Sequence, residues 1–407
     1  MLSRRTLLVS ASAGLAATSQ QTGIVFTGRG RSGFLNPDRR LEWISENGRG
    51  LRRVPLPEDP GAGFGLYGFF RDGRALLQSL ALPEGWQTQT FDEYYPRSRT
   101  RIWAADLTAG RVEELCTRDR LSSFCSPVCI LPGEARLAAT VLLNGKSVLY
   151  TMNLDGTEPR ALTGPGEFVY GVSLSPDGAR FAFHCDYRIQ TCRVDGSDRR
   201  ELAAERGVIY FSSSWSPDGE WVLFQACDGR QDPAHDWSRI GIVGGRGGRP
   251  VRWLTPPAEA WFGASYGQPG NPGGGSNQPQ WAPDNRGPMS VLYVRRIAGS
   301  VTPWVFAAGR RDTDHFNRDY RPETARGGAH LTAIDVATGK QTHVTAPREG
   351  VWDFRPAFSP DGRRICFLRA PVGQPPELWI ARSNGGKARA LTHGMRGAGC
   401  EHPSWTR

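Results

Sequence analysis

The residues best suited to chemistry lie in four irregular stretches, 82–100, 228–237, 256–276 and 297–329. These stretches carry exposed-type aromatic rings beside amides, histidines and arginines. Such a set suits flat, hydroxylated ligands such as sugars: a ring stacks on a sugar face, while Asn, Gln and Arg bind hydroxyl and carboxylate groups. Tyr95, Trp237, Trp261, Tyr266, Asn317 and Tyr320 are therefore candidate carbohydrate-binding residues. The alternative is that the rings pin long loops to a scaffold. Seven histidines are present, with no His-x-His or His-x3-His pair. Several imidazoles near a glutamine or carboxylate could hold one divalent ion, and hydrogen-bonding surface groups are the alternative.

The elements that position these residues are repeats. Ser175-Pro176-Asp177-Gly178 returns as Ser216-Pro217-Asp218-Gly219 and as Ser359-Pro360-Asp361-Gly362, with a worn copy, Ala282-Pro283-Asp284-Asn285. Proline presets φ and glycine accepts positive φ, so Pro-Asp-Gly between two β-rich runs is a tight hairpin. A second hairpin turn follows at Leu154-Asp155-Gly156, Asp195-Gly196 and Ser383-Asn384-Gly385, and a final strand ends in Ala161-Leu162-Thr163, Trp253-Leu254-Thr255 or Ala390-Leu391-Thr392. Four antiparallel strands in about 40 residues are the signature of a propeller blade. Six complete units are expected at about 64–115, 121–163, 167–202, 208–255, 277–345 and 351–392. A seventh joins His402-Pro403-Ser404-Trp405 to strands near 23–26, 41–45 and 51–56. The expected fold is all-β, a seven-bladed β-propeller closed by N- and C-terminal strands in one blade. Six blades is the alternative. Residues 21–407 form one domain.

In such a blade the two short hairpins share one face, which reads as plain scaffold. The four insertions fall on the other face, where loops on a rigid ring usually carry function. The inner strands start on that face, with Tyr170, Ser212, Asn277, Gln278, Asp353, Arg355, Glu401 and His402 around the channel. Polar groups there must be solvated, paired or holding a ligand. The Gly273-Gly274-Gly275 run is expected to let its loop move as a lid.

The Ser-Pro-Asp-Gly hairpins resemble the propeller repeats of the TolB type over nearly the whole chain, which implies the fold and leaves both binding and catalytic roles open. The chain also resembles the oligogalacturonate lyases, with Glu401-His402-Pro403 as a fragment of their glutamine-and-histidine cluster. That resemblance implies one divalent metal ion held by Gln278, His330 and His402, with Arg355 or Arg318 as the catalytic or carboxylate-binding group. Asn277 and Glu401 then join the substrate-binding set. Metal neutralisation of a uronate carboxylate acidifies the neighbouring C–H for removal by a base. Two functions follow: recognition of a carbohydrate or acidic glycan, with lyase chemistry, or a non-catalytic TolB-like scaffold with a periplasmic protein partner.

The remaining signals concern location. Ser3-Arg4-Arg5-Thr6-Leu7-Leu8 before a mildly apolar run resembles a twin-arginine export signal over residues 1–20, which implies a periplasmic or secreted protein. No segment approaches the roughly 18 apolar residues of a membrane span. A formal charge of +10 favours acidic partners; no nucleic-acid motif accompanies it. Of eight cysteines, Cys185 and Cys192 are placed to face each other across a hairpin, while Cys116 and Cys366 read as buried thiols.

Overall fold

The structure is a computed structural model, and it describes residues 22–28, 40–57, 59, 62–117, 125–143, 145–231, 236–263, 277–283, 289–306, 309, 318–393 and 400–406. The expected signal segment and the Gly273–Gly275 lid lie outside them.

Four four-stranded antiparallel sheets are separate. The closing sheet sets Cys400–Trp405 against Gly23–Gly28, followed by Arg40–Ser45 and Arg52–Arg53, with Ile24 opposite Trp405. The second sheet is Ala62–Phe69, Ala75–Ala81, Arg99–Asp106 and Arg111–Cys116. The third is Cys125–Ile130, Arg136–Leu143, Lys146–Asn153 and Arg160–Ala161. The fourth is Val169–Leu174, Arg180–Cys185, Arg188–Arg193 and Arg200–Ala203. A thirteen-stranded sheet holds the rest, apart from Trp304–Phe306 and Arg318–Tyr320, which pair only with each other. It contains the run Val208–Trp215, Trp221–Asp228, Trp237–Gly244, Arg252–Trp253, and the run Val351–Phe358, Arg364–Pro371, Glu377–Arg382, Arg389–Ala390. Between them lie Gln280–Trp281, Ser290–Arg296, Ala329–Asp335 and Gln341–His343. The short strand Ala260–Trp261 joins the first run to this middle group, and one parallel bridge, Ala329 to Trp352, joins the group to the last run.

The repeated sequence makes repeated bonds. Ser175 Oγ donates to Asp177 Oδ1 at 2.5 Å and accepts the Arg180 N–H at 2.9 Å, and the Ala179 N–H donates to the same Asp177 oxygen at 3.0 Å. Ser359 repeats this with Asp361, Arg363 and Arg364 at 2.7, 3.0 and 3.0 Å. Gly178 and Gly362 hold φ of 69° and 66°, which a β-carbon would penalise. The closing Leu-Thr pairs, and Val344-Thr345 in the same place, also act alike. Thr163, Thr255, Thr345 and Thr392 each accept, on Oγ1, the backbone N–H of Leu149, Ile240, Leu331 and Leu378 at 2.8–3.0 Å.

Apolar clusters sit between successive sheets. Val25, Leu41 and Trp43 pack on Phe64 and Leu77, while Leu76 and Ile102 pack on Leu137 and Ala139. Ala138 and Leu149 pack on Phe181 and Phe183, and Phe224 and Val243 pack beside Ala182 and Ile189. The largest cluster joins Leu331, Trp352 and Phe367 to Ile24 and Phe26 of the closing sheet. The arrangement is propeller-like, with the chain termini zipped into one sheet.

Two expectations are corrected. Cys185 stands opposite Arg188 and Cys192 opposite Phe181, so these cysteines lie at different levels of the hairpin, and both are free. Asp353 does not face an open channel; it is 1% exposed and gripped by Arg369 through two bonds of 2.6 and 2.8 Å.

Candidate functional site

The inner strands share an irregularity that builds the site. Register shifts fall between Tyr170 and Ser173, between Phe211 and Ser214, between Phe354 and Ala357, and where Cys400–Trp405 meets Val25 and Thr27. These are β-bulges, which re-aim side chains and often sit beside functional sites. Each holds one residue in the left-handed region: Gly171 at φ 57°, Ser212 at 57°, Arg355 at 49° and His402 at 47°. Gly171, Ser212 and Arg355 all stand five residues before a turn proline (Pro176, Pro217, Pro360), and Gln278 keeps that phase before Pro283. A left-handed conformation is costly for arginine, histidine and serine, and strain of this kind persists where the surroundings over-determine it.

Neighbouring bulges touch. Ser213 Oγ donates to the Gly171 carbonyl at 2.6 Å. The Arg355 N–H donates to Asn277 Oδ1 at 3.1 Å, and Asn277 is itself anchored to Gly263 O and Phe262 O. Arg355 Nη1 lies 2.5 Å from His402 Nδ1 and 2.7 Å from His402 Nε2. The guanidinium is always a donor, so the ring nitrogen facing it accepts. Asn277, Arg355 and His402 thus form one group, with Gln278 exposed beside Asn277.

Facing Gly171 is His184, 8% exposed, its ring stacked on Tyr170 at 6.0 Å. A β-carbon on Gly171 would come within 3.0 Å of His184 Nδ1, so glycine makes room for the imidazole. Burial pushes the His184 pKa down to about 3, leaving a neutral ring whose Nδ1 has no hydrogen-bond partner among the described residues. Sequence reasoning left His184 out of the site. Its signal was the phase of the bulge: a residue opposite Tyr170, one position before Gly171.

Trp261, Trp237 and His330 have surroundings of their own. Trp261 is 1% exposed and stands edge-on to Trp352 at 4.6 Å, so it packs the core and has no face to offer a sugar. Trp237 is half-buried with the Arg296 guanidinium 4.4 Å over its ring. His330 is 3% exposed and bonds through Nε2 to His343 Nδ1 at 2.9 Å; burial, with His343 and Arg295 nearby, pushes its pKa down to about 4. Tyr95 opens the short helix Tyr95–Arg97, Arg318 and Tyr320 bound the strand Arg318–Tyr320, and Glu401 adjoins His402 in its strand; the side chains of these four lie outside the described residues. Tyr266 and Asn317 also lie outside them.

A divalent ion does not fit the set implied by the sequence. His330 is committed to His343, and His402 meets a permanent cation. Among the described residues the only group of three His, Cys, Asp or Glu ligands close enough for an ion is Glu167, Cys185 and Asp186. There Arg199 already grips Glu167 at 2.6 and 2.9 Å.

No protein-family model matches the chain, and no curated protein matches it in sequence. Solved structures do. A puromycin-hydrolyzing peptidase from Mycobacterium tuberculosis superposes with a TM-score of 0.55 at 13% identity, over 91% of this chain and 53% of the peptidase. An oligogalacturonate lyase in complex with manganese gives 0.50 at 13% identity, over 88% of this chain and 90% of the lyase. TolB from Acinetobacter baumannii aligns over 95% of this chain and 83% of its own at 14% identity, with a TM-score of 0.45. The fold is an all-β propeller. This chain spans about half the length of the peptidase. Among the described residues of the propeller, no helix is long and apolar enough to cross a membrane.

Proposed function

We propose that this protein is an exported, seven-bladed β-propeller that recognises an acidic carbohydrate at the mouth formed by its inner-strand bulges. The three runs within the thirteen-stranded sheet supply three blades beside the four separate sheets, and the sequence of apolar clusters supports a closed ring. The twin-arginine-like start supports a periplasmic or secreted location.

The single observation carrying the reading is the Asn277–Arg355–His402 group: a fixed positive fork, an amide and an imidazole where neighbouring bulges meet. Arg355 is 7% exposed. A planar guanidinium binds a carboxylate through two parallel bonds, and its permanent charge suits it to holding an anion rather than to removing a proton. Neutral His184, Ser213 and Gln278 supply acceptors and donors for hydroxyl groups. The arrangement therefore supports recognition of a uronate more than metal-assisted elimination, since His330, His402 and Gln278 do not form one ligand set. A TolB-like scaffold for a periplasmic protein is the second reading, favoured by the regular hairpins.

Calorimetric titration with a galacturonate oligomer and a neutral oligomer of equal length tests this. The acidic ligand is expected to bind, and Arg355→Ala to weaken it at least about tenfold, the loss of one charge-assisted bidentate contact. Equal affinity for both oligomers would overturn the reading. Release of unsaturated product, followed by absorbance, would move it to a lyase.

A further inference from the structure

The short-hairpin face carries two clefts built on the same backbone plan, and their charges differ. In the fourth sheet, Asp198 sits in the second hairpin turn at φ 49°. It takes Arg180 Nη1 at 2.7 Å and Arg200 Nε at 2.8 Å, and Arg200 Nη1 reaches across the seam to the Arg246 carbonyl at 2.8 Å. In the third sheet Glu158 holds that turn position, also at φ 49°, with Arg136 at 3.4 Å.

In the run 351–390 the phase of the turns puts Arg364 for Arg180, Arg389 for Arg200 and Lys387 for Asp198. Lys387 has φ 57°, and Arg389 Nη2 reaches across the seam to the Glu46 carbonyl at 2.6 Å. The clamp is the same, with a lysine where the other two turns hold an acid. The carboxylate has moved to Glu46 on the closing sheet, where it holds Arg364 at 2.6 Å. Among the described residues Arg382 and Lys387 have no ion pair, and the Arg389 guanidinium ends on a neutral carbonyl. The cleft, about 470 Å³, is lined by Arg363, Arg364, Arg382, Lys387 and Arg389 against the single acid Glu46. The corresponding cleft at the fourth sheet has four arginines against Asp177 and Asp198.

We infer that the seam between the 351–390 run and the closing sheet binds a multivalent oxyanion, a ligand bearing two or more phosphate or carboxylate groups. Like charges gathered in one concave site repel each other and raise the local potential, and an ion with several charged oxygens relieves this at each cation. Two guanidiniums already fixed by Glu46 offer forks, and Lys387 offers a mobile point charge. This site lies at the opposite end of the strands from Arg355 and is independent of the carbohydrate reading.

The test is titration of the full chain with pyrophosphate and with citrate, against sodium chloride of matched ionic strength. Lys387→Asp restores the acid found at Asp198 in the same turn conformation, so it is expected to fold. It should weaken both ligands at least about tenfold, because a favourable charge becomes a repulsive one. Arg382→Ala should weaken them less. Competition by a galacturonate oligomer would assign the oxyanion to a glycan, and lack of competition to a free ion; both support the site. Heat release no larger than in matched salt, or affinity unaltered by Lys387→Asp and Arg382→Ala together, would overturn it.

Discussion

At the hairpin end of the strands the same atoms make the same bonds in unit after unit; at the bulges the same backbone position carries a different side chain each time. Ser175 and Ser359 bond their aspartates and the following N–H groups within a few tenths of an ångström of each other. The bulges, by contrast, present Gly171, Ser212, Arg355 and His402. Repetition at one end sets the spacing of the sheets. Variation at the other end, on a backbone that does not vary, is how a symmetric scaffold acquires an asymmetric site.

The contrast is broken most severely at Asp353. Asp353 and Arg369 stand opposite each other two residues before the Arg355 bulge, where the fourth sheet has the apolar pair Val169 and Cys185. Desolvation raises the Asp353 pKa despite Arg369, so the ion pair is a tense one. Arg369→Ala would leave a buried carboxylate without its fork and is expected to cost about 3–5 kcal/mol in urea unfolding. Replacing both by the Val and Cys of the fourth sheet should recover most of that loss. A single-variant cost below about 1 kcal/mol would show that water reaches the pair.

Acid should separate the two ends next. His184 and His330 are buried neutral, with pKa values lowered to about 3 and about 4. In the unfolded chain a histidine takes a proton near pH 6.5, so below that the unfolded state binds more protons and stability falls with pH. Each group contributes fully above pH 6.5 and loses about 2 kcal/mol by pH 5. His184→Gln should flatten about half of this slope in thermal melts taken between pH 7 and 5. An unchanged slope would mean that His184 meets solvent.

Most of the fold was readable because its signals are local. Pro-Asp-Gly turns and Leu-Thr strand ends each act within about fifteen residues, and their phase marked the repeat. The site was less readable because its partners are distant or depend on register. Nothing near His330 marks His343 as its partner rather than His402. Trp261 looked like a loop aromatic because Ala260–Trp261 is a strand of two residues, too short to show alternation, yet it is what buries the ring. Cys185 and Cys192 looked adjacent because their spacing ignores the Cys185–Arg188 register. The cation cleft at Lys387 was hidden because it depends on which turn position carries the acid, and that shows only once the units are laid over one another.

A smaller effect tests the repeated end. The Ile240 N–H donates to Thr255 Oγ1 at 2.8 Å in a buried setting. Thr255→Val keeps the shape and strands that donor, which should cost about 1–3 kcal/mol in thermal or chemical unfolding. Thr163→Val should cost a similar amount, since it breaks the same bond at Leu149. Widely different costs would mean that the Leu-Thr ends are alike in geometry but not in energy.

The finest test separates what the Arg355 side chain does from what its backbone requires. At φ 49° any β-carbon is strained, by about 1–2 kcal/mol relative to glycine. Arg355→Gly and Arg355→Ala both remove the guanidinium, so both should weaken a uronate ligand equally. The glycine variant, however, should be the more stable by about 1 kcal/mol, because Gly171 already occupies the same bulge in the fourth sheet. Comparing the two by unfolding and by titration reads strain and binding independently. If alanine proves as stable as glycine, the bulge is not strained, and the left-handed backbone no longer argues that this position is held for a ligand.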